Sequence, residues 1–341
     1  MAGARGGGHG FVIMMQYWAL GFVIAQLLQM AESQGGLQVG FYDQSCPLAE
    51  QIVRTVVERG VLQDHGNAPG LIRLHFHDCF VQGCDGSVLL DGAKSEKTAS
   101  PNFSLRGFEV VDSAKAELEK QCPGVVSCAD LLAFAARDSI ELTGGKRWEV
   151  PAGRRDGNVS DNAEAEAMLP SPSLDVHQLT DSFTRKGLSQ NDMITLSGAH
   201  TIGRIHCSTV VARLYPTTDP NLDADLAVQL KTLCPEVGGN SSSTFNLDPT
   251  TPELFDNMYY SNLFGGKGVL QSDQILFESW STKLPTMFNV LSTTSFTSSF
   301  ADSMLTMSQI EVKTGADGEI RRHCRVVNPV IAASSPASPP V

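Results

Sequence analysis

Residues 68–80, APGLIRLHFHDCF, are the stretch that decides the fold and the chemistry of this chain. Pro69 suits the first turn of a helix, where its missing backbone N–H removes no hydrogen bond. Arg73 and His77 are four residues apart, so a helix places them one turn above each other on the same face, with Phe76 beside them. A permanent cation, a titratable imidazole and an aromatic ring on one helix face are typical of a reaction pocket.

Two segments of the chain resemble motifs of a known family. The octet RLHFHDCF, residues 73–80, resembles the distal haem motif of the plant secretory (class III) haem peroxidases. The segment LSGAHTIG, residues 196–203, resembles their proximal haem-ligand motif, and its small residues before His200 would let a flat group approach the backbone closely. The resemblance covers roughly residues 37–328 and is weaker over 277–296. It implies an all-α haem-peroxidase fold in which two helical lobes sandwich one haem b.

The composition indicates a folded, acidic protein. The chain has 341 residues, enough for one large domain or two lobes around one site, and 42% of them are hydrophobic. The formal net charge of -12 argues against nucleic acid as a partner, because phosphate binding needs a basic face. It also argues against adhesion to an anionic membrane by bulk charge. We therefore expect neither nucleic acid nor a membrane as a partner. We also expect the protein to be a monomer.

Both ends of the chain differ from its middle. Residues 11–28 are mostly apolar and precede small and polar residues, which predicts a secretory signal peptide over residues 1–34. The alternative is a membrane anchor, but Gln16 and Gln26 interrupt the apolar run, Gln29 follows it, and no stop-transfer charge cluster comes after it. We predict one haem peroxidase domain over residues 35–328 and a disordered tail, rich in Ala, Ser and Pro, over residues 329–341.

The two ends of the chain also predict the localisation of the protein. A signal peptide directs the chain to the extracellular space or cell wall. The tail resembles the vacuolar sorting extensions that some family members carry, so the vacuole is the alternative destination. Glycosylation sequons begin at Asn158 and Asn240, both in segments predicted to be loops.

The chain contains eight cysteines. An even number of cysteines after a signal peptide implies a disulfide framework, and no Cys-x-x-Cys pair or Cys/His cluster has zinc spacing. Chemistry alone leaves many pairings open. The family resemblance selects one of them: Cys46–Cys122, Cys79–Cys84, Cys128–Cys324 and Cys207–Cys234.

The resemblance implies a peroxidase that reduces hydrogen peroxide and oxidises small phenolic donors in one-electron steps. Cleaving the O–O bond requires a group that moves a proton from one oxygen to the other, and a cation that helps the second oxygen leave. His77 fits the acid–base role and Arg73 fits the cation. On the other haem face, a neutral histidine must bind iron while its second nitrogen donates to an acceptor. The resemblance gives these roles to His200 and Asp273.

Asn102 lies where the family has an asparagine that accepts a hydrogen bond from the distal histidine. A glutamate holds that asparagine in the family, and Glu96 matches its position. The loop between Asn102 and residues 105–108 is one residue shorter than is common in the family. Asn102-Phe103-Ser104 is also a glycosylation sequon, but a glycan there would block the pocket, so we assign Asn102 to catalysis.

The resemblance also implies two calcium ions, which as hard cations take several carboxylate, hydroxyl and carbonyl oxygens. The first ligand set is Asp78, Asp85 and Ser87 with the carbonyls of Val81 and Gly83. The second ligand set is Thr201, Asp248, Thr251 and Asp256 with the carbonyl of Leu254. Because Asp78 adjoins His77 and Thr201 adjoins His200, each ion would brace a segment that carries a haem histidine.

The apolar spacing predicts several helices and one long loop. Helices are expected over residues 49–62, 108–121 and 298–310. Another helix begins after Ser127 and is apolar nearly all round, so its Asp130 is either a buried carboxylate that needs a partner or a solvated residue in the first turn. Arg154 matches the partner position of the family. Residues 216–246 are acidic and rich in Ser and Gly, which predicts a loop.

Pro170 begins a Pro-Ser-Pro turn. The family uses the carbonyl of this proline to orient aromatic donors, and a plain rigid loop is the alternative interpretation.

Two other classes of function are alternatives to the peroxidase. A zinc hydrolase could use His75, His77 and Asp78 as ligands, but a His-x-His pair shares a face only in a strand, and the spacing favours a helix. A secreted binding protein with an inactive pocket would not need the full catalytic set. One spectrum separates the three classes: a Soret band indicates the peroxidase, bound zinc indicates the hydrolase, and neither indicates the binding protein.

Overall fold

The computed structural model describes residues 36–236 and 243–329. Within these residues the chain is mostly helical, with one small antiparallel sheet. The helices are α1 (Ala49–Gln63), α2 (Asn67–Val81), α3 (Phe108–Gln121), α4 (Cys128–Leu142), α5 (Asn162–Met168), α6 (Val176–Arg185), α7 (Gln190–Ser197), α8 (Cys207–Leu214), α9 (Ala224–Leu233), α10 (Met258–Phe264), α11 (Gln271–Glu278), α12 (Trp280–Val290) and α13 (Thr293–Met307). The strands are β1 (Arg204–His206) and β2 (Thr244–Asn246). The predicted all-α class is confirmed.

The first hydrophobic core lies among helices α1 to α4. Helix α2 packs against α4, and α1 packs against both α3 and α4. Val53, Leu118 and Leu132 are fully buried there, each on the apolar face of its helix. The hydroxyl of Ser127 accepts the backbone N–H of Asp130 at 3.0 Å, which caps α4 where the sequence predicts its beginning.

The second core lies among α6, α7 and α10 to α13, and it is rich in aromatic rings. The Phe296 ring contacts Tyr260 edge-on at 5.1 Å and stacks on Phe255 at 5.8 Å between centroids. Helix α2 belongs to both cores, since Leu71 packs into the first and Phe80 into the second. The helix that carries the predicted reaction pocket is therefore held from two sides.

Four disulfides tie these elements together. They are Cys46–Cys122, Cys79–Cys84, Cys128–Cys324 and Cys207–Cys234, the same pairs that the resemblance implies. Among the described residues no free cysteine remains. The bridge from Cys128 to Cys324 joins the beginning of α4 to the last described segment across 196 residues of sequence.

The prediction that residues 216–246 form a loop is wrong. This segment contains α9 and β2, and β2 pairs with β1 so that Phe245 lies opposite Ile205. The acidic residues mislead because Asp223 is a helix cap, whose carboxylate accepts the N–H of Leu226 at 2.9 Å. Leu226 and Leu230 are then buried in a small third core with α8. The last helix also begins earlier than predicted, at Thr293 rather than at residue 298.

Some predictions fall outside the described residues. The signal peptide, nearly all of the C-terminal tail and the sequon at Asn240 lie there. Within residues 36–236 and 243–329, no helix combines the length and apolar character that crossing a membrane requires.

Candidate active site

Helix α2 brings Arg73 and His77 into direct contact. Nε of Arg73 donates to Nε2 of His77 at 3.1 Å, as expected for residues one turn apart. The rest of the guanidinium is held by the loop before α3, where Nη1 donates to Ser104 Oγ at 2.9 Å and Nη2 to the carbonyl of Pro101 at 2.8 Å. The cation is thus fixed beside the imidazole. Nothing in the sequence pattern predicts this role of Ser104.

Asn102 orients the imidazole from its other side. Its Oδ1 lies 2.5 Å from Nδ1 of His77, and its Nδ2 donates to the backbone carbonyl of Glu96 at 2.8 Å. The carbonyl of Glu96 can only accept, so the amide nitrogen must face it and the amide oxygen must face His77. Nδ1 of His77 is therefore the protonated nitrogen, and Nε2 keeps its lone pair.

The short loop does not displace Asn102 from the predicted position. The residue is only 3% exposed, so the side chain that a glycan would modify is buried against His77 rather than presented to solvent. Burial, and next the positive charge of Arg73, lower the pKa of His77 to about 3. The imidazole is neutral at physiological pH, which is the state that a proton acceptor needs.

His200 and Asp273 form a second oriented pair. His200 lies in a short 3₁₀ turn directly after α7, and Asp273 lies in the first turn of α11. Nδ1 of His200 is 2.9 Å from Oδ1 and 3.1 Å from Oδ2 of Asp273. Burial lowers the pKa of His200, but the charge and hydrogen bond of Asp273 outweigh it and the net shift is upward. In the part of the chain that is described, no protein group hydrogen-bonds to Nε2.

The chemistry of the two pairs fits a haem. The side chain of His200 is 37% exposed although its carboxylate partner is buried, so the ring faces open space. The segment that follows the His200 turn packs against the beginning of α2, since a Cβ atom on Gly203 would lie 3.1 Å from Pro69. An imidazole whose Nδ1 is held by a carboxylate and whose Nε2 is free is the ligand that haem iron takes.

Gly198 packs closely against the aromatic core beneath the His200 turn. A Cβ atom at this position would lie 2.5 Å from Phe296 and from the hydroxyl of Tyr260. The glycine is therefore required by the aromatic core under the turn. Ser197 and Ala199 remain half-buried on either side of it.

The first predicted calcium set contains buried oxygens without partners. Asp78 and Asp85 are 0% and 1% exposed, and within the described chain Asp78 Oδ1 and Ser87 Oγ make no hydrogen bond. Burial, and next the negative charge of Asp85, raise the pKa of Asp78 well above its usual range. Two carboxylates buried together with an orphaned hydroxyl fit a bound cation.

The two carbonyls of the first set are partly engaged. The oxygen of Val81 accepts Nζ of Lys186 at 3.1 Å, and the oxygen of Gly83 accepts the N–H of Asp85 at 2.8 Å. Each carbonyl oxygen has two lone pairs, so one remains on each.

The second predicted set also converges. Oγ1 of Thr201 lies 3.3 Å from Asp248 and 3.2 Å from Asp256, and Oγ1 of Thr251 lies 3.1 Å from the same oxygen of Asp256. Both carboxylates are buried. Leu254 lies in the loop that joins Thr251 to Asp256, as the predicted carbonyl ligand requires.

Other residues from the sequence analysis lie outside the pocket or at its edge. Asp130 is fully buried and paired with Arg154 at 2.7 Å, which settles its two interpretations in favour of the buried pair. Pro170 is half-buried, and the preceding Leu169 packs in the same cluster as Phe76. Asn158 is exposed.

His75 faces away from the reaction pocket. It is 1% exposed and packs against Cys79, whose sulfur is bonded to Cys84. These three residues are close enough to hold a metal, but disulfide sulfurs are not thiolate ligands. His75 and His77 therefore do not form the zinc pair of the alternative hypothesis.

One residue near His200 was missed by sequence reasoning. The hydroxyl of Tyr259 donates to Oδ1 of Asp273 at 3.0 Å, the oxygen that also accepts from His200. The only sequence signal is a pair of tyrosines at the beginning of α10, and such a pair is ordinary in a core helix.

Comparison with known proteins identifies the class. A family model described as Peroxidase matches residues 53–287. The chain is 48% identical to Peroxidase 5 of Vitis vinifera over 319 residues, which is 91% of this chain and 97% of that protein. It is 48% identical to Peroxidase 71 of Arabidopsis thaliana over 297 residues, 86% of this chain and 90% of that protein. It is 44% identical to Peroxidase N1 of Nicotiana tabacum over 331 residues, 94% of this chain and 99% of that protein.

The chain belongs to the peroxidase family, among the plant class III peroxidases. It is an enzyme that acts on hydrogen peroxide, and its family implies a haem cofactor. The prediction of a peroxidase is confirmed, and the zinc hydrolase and the inactive binding protein are set aside.

Proposed function

We propose that this enzyme reduces hydrogen peroxide at one haem b, with Arg73, His77 and Asn102 on one face and His200 with Asp273 on the other. The observation that carries the proposal is shared by the two histidines. In each ring an oxygen acceptor holds Nδ1, Asn102 at 2.5 Å and Asp273 at 2.9 Å. Nε2 of His77 is thereby kept as a base, and Nε2 of His200 as a ligand.

The residues of α2 act on peroxide. Nε2 of His77 takes a proton from one peroxide oxygen and returns it to the other, which leaves as water. Arg73 lies within hydrogen-bond reach of the same nitrogen, so its charge is placed to stabilise the departing oxygen. Asn102 keeps the His77 ring in the required tautomer throughout. The haem, when bound, supplies the electrons that reduce the peroxide.

Asp273 acts through His200. Its carboxylate accepts the Nδ1 proton and gives the imidazole partial imidazolate character, which increases electron donation from Nε2. Stronger donation stabilises the ferric over the ferrous iron.

Two calcium ions complete the proposed cofactor set. Asp78, Asp85 and Ser87 would hold one ion with the carbonyls of Val81 and Gly83, and Thr201, Asp248, Thr251 and Asp256 would hold the other with the carbonyl of Leu254. The orphaned oxygens of the first set and the convergence of four side chains in the second support this assignment. Each ion would stiffen the backbone next to one haem histidine.

Small phenols are the proposed donors, and Pro170 is the proposed contact for their hydroxyl. Leu169, which precedes Pro170, packs against the same hydrophobic cluster as Phe76, a neighbour of His77 in the chain. We further propose that the protein is secreted to the extracellular space as a monomer. In this proposal the domain over residues 35–328 lies between a cleaved signal and a short tail. The exposed sequon at Asn158 supports it.

A donor comparison with the purified, haem-loaded full chain tests this function. Guaiacol carries a phenolic O–H, and veratrole is the same ring with that oxygen methylated. We expect a Soret band and peroxide-dependent oxidation of guaiacol but not of veratrole. His200→Ala should lose the Soret band, whereas His177→Ala, at an exposed position of α6, should keep both properties. Equal rates with the two compounds would contradict the phenolic assignment.

A further inference from the structure

The Asp273 carboxylate is shared between two donors. Its Oδ1 accepts from Nδ1 of His200 at 2.9 Å and from the hydroxyl of Tyr259 at 3.0 Å. Tyr259 and Asp273 are each only 3% exposed, so water does not compete for either group. Hydrogen bonds to a buried carboxylate are strong, because a low dielectric surrounds them.

Tyr259 is held in this position by its neighbours. It lies in the first turn of α10, and its ring meets Tyr260 edge-on at 4.9 Å. In the part of the chain that is described, Asp273 is the one hydrogen-bond partner of its hydroxyl. Burial, and next the charge of Asp273, raise the pKa of Tyr259 well above its ordinary value. The hydroxyl therefore stays protonated and remains a donor.

We propose that Tyr259 is a positioning residue that sets how strongly His200 donates to the haem iron, by withdrawing charge from the carboxylate that they share. The inference rests on the proposed pairing of His200 with Asp273. A hydroxyl that donates to Oδ1 disperses part of the negative charge, so less of it polarises the Nδ1–H bond of His200. Tyr259 thus acts against Asp273: the carboxylate lowers the Fe(III)/Fe(II) potential, and the tyrosine raises it part of the way back.

Tyr259→Phe in the haem-loaded full chain tests this, because it removes one hydroxyl and keeps the ring. We expect the Fe(III)/Fe(II) equilibrium to move toward Fe(III) by roughly three- to tenfold, the upper figure being about 59 mV for a one-electron couple. The Fe–His stretching frequency of the ferrous protein, measured by resonance Raman, should rise. Both signals should move in the opposite direction in Asp273→Asn, which removes the charge.

Tyr260→Phe is the matched control. Its hydroxyl is equally buried, but it lies 3.0 and 3.2 Å from the backbone carbonyls of Ile194 and Thr195 and makes no hydrogen bond to Asp273. Removing it should leave the potential and the Fe–His frequency nearly unchanged. A ring-fluorinated tyrosine incorporated at position 259 is a stronger donor of the same shape, and it should raise the potential above that of the natural protein.

The outcomes distinguish a failure of the proposed Tyr259 role from a failure of the proposed pairing of His200 with Asp273. If Asp273→Asn shifts the potential and Tyr259→Phe does not, or shifts it in the same direction, the role of Tyr259 is refuted and the proximal pair stands. If Asp273→Asn itself leaves the potential unchanged, the proximal pair and the inference fall together. Opposite shifts in the two variants, with Tyr260→Phe unchanged, support both.

Discussion

Nδ1 of His77 lies 2.5 Å from Oδ1 of Asn102, and this contact determines which nitrogen of the imidazole is free to react. The amide cannot turn round, because its nitrogen is committed to the carbonyl of Glu96. The catalytic tautomer is therefore fixed by a loop that precedes α3, not by the helix that carries His77.

Asn102→Leu should slow the reaction with hydrogen peroxide. Leucine has a similar size but accepts no hydrogen bond, so His77 would lose its fixed tautomer and orientation. We expect the second-order rate constant to fall by roughly 10–100-fold, the usual effect of removing a partner that orients a catalytic group. Stopped-flow absorbance in the Soret region measures it. Asn158→Leu, in an exposed loop, is the control. If the rate of Asn102→Leu equalled that of the natural protein, Asn102 would have no role in the mechanism.

Metal analysis should find two calcium ions per chain, and Asp85→Ala should lose one. A bound ion makes this substitution more destabilising. Without an ion, removal of Asp85 would relieve repulsion with Asp78 but would lose the hydrogen bond that Asp85 accepts from the N–H of Ser87, and these two effects oppose each other. With an ion, a ligand is lost, and we expect the midpoint to fall by about 4 °C or more, roughly 1–2 kcal/mol for a chain of this size.

Chelation supplies the complementary observation. Removing calcium from the natural protein should lower its activity and thermal midpoint while haem is still bound at first, and Asp85→Ala should respond less. Asp181→Ala removes an exposed carboxylate of α6 and should match the natural protein in every measurement. A protein that contains no calcium when isolated would contradict the ligand assignment.

The Cys128–Cys324 bridge should stabilise the fold more than Cys207–Cys234. The bridges span 196 and 27 residues of sequence. In the chain-entropy model these loops correspond to about 5 and about 3.5 kcal/mol. We expect paired Cys→Ser substitutions to reduce the free energy of unfolding in that order, as measured by denaturant titration. The reverse order would show that loop entropy does not dominate here.

Much of the pocket could be predicted from the sequence because its groups are close together along the chain. Arg73 and His77 are one helical turn apart, and their contact follows from helix geometry alone. The four disulfide pairs and the pairing of His200 with Asp273 came from the family resemblance, since no spacing rule connects residues 73 positions apart.

The remaining features depend on contacts between distant elements. The hydrogen bond from Tyr259 to Asp273 joins α10 to α11, and Ser104 reaches Arg73 from a loop 31 residues away. Helix α9 was not predicted, because an acidic residue such as Asp223 is typical of a solvated loop. In the structure its carboxylate instead caps the helix. Local sequence carries no information on such partners.

The central claim is that His77 moves the proton that peroxide cleavage requires. Rapid mixing of the haem-loaded His77→Ala variant with hydrogen peroxide tests it most directly, with His177→Ala as the surface control. The account predicts a rate constant for the peroxide reaction lower by several orders of magnitude, roughly 10³-fold or more, because acid–base assistance and positioning are lost together. A rate equal to that of the natural protein would contradict it.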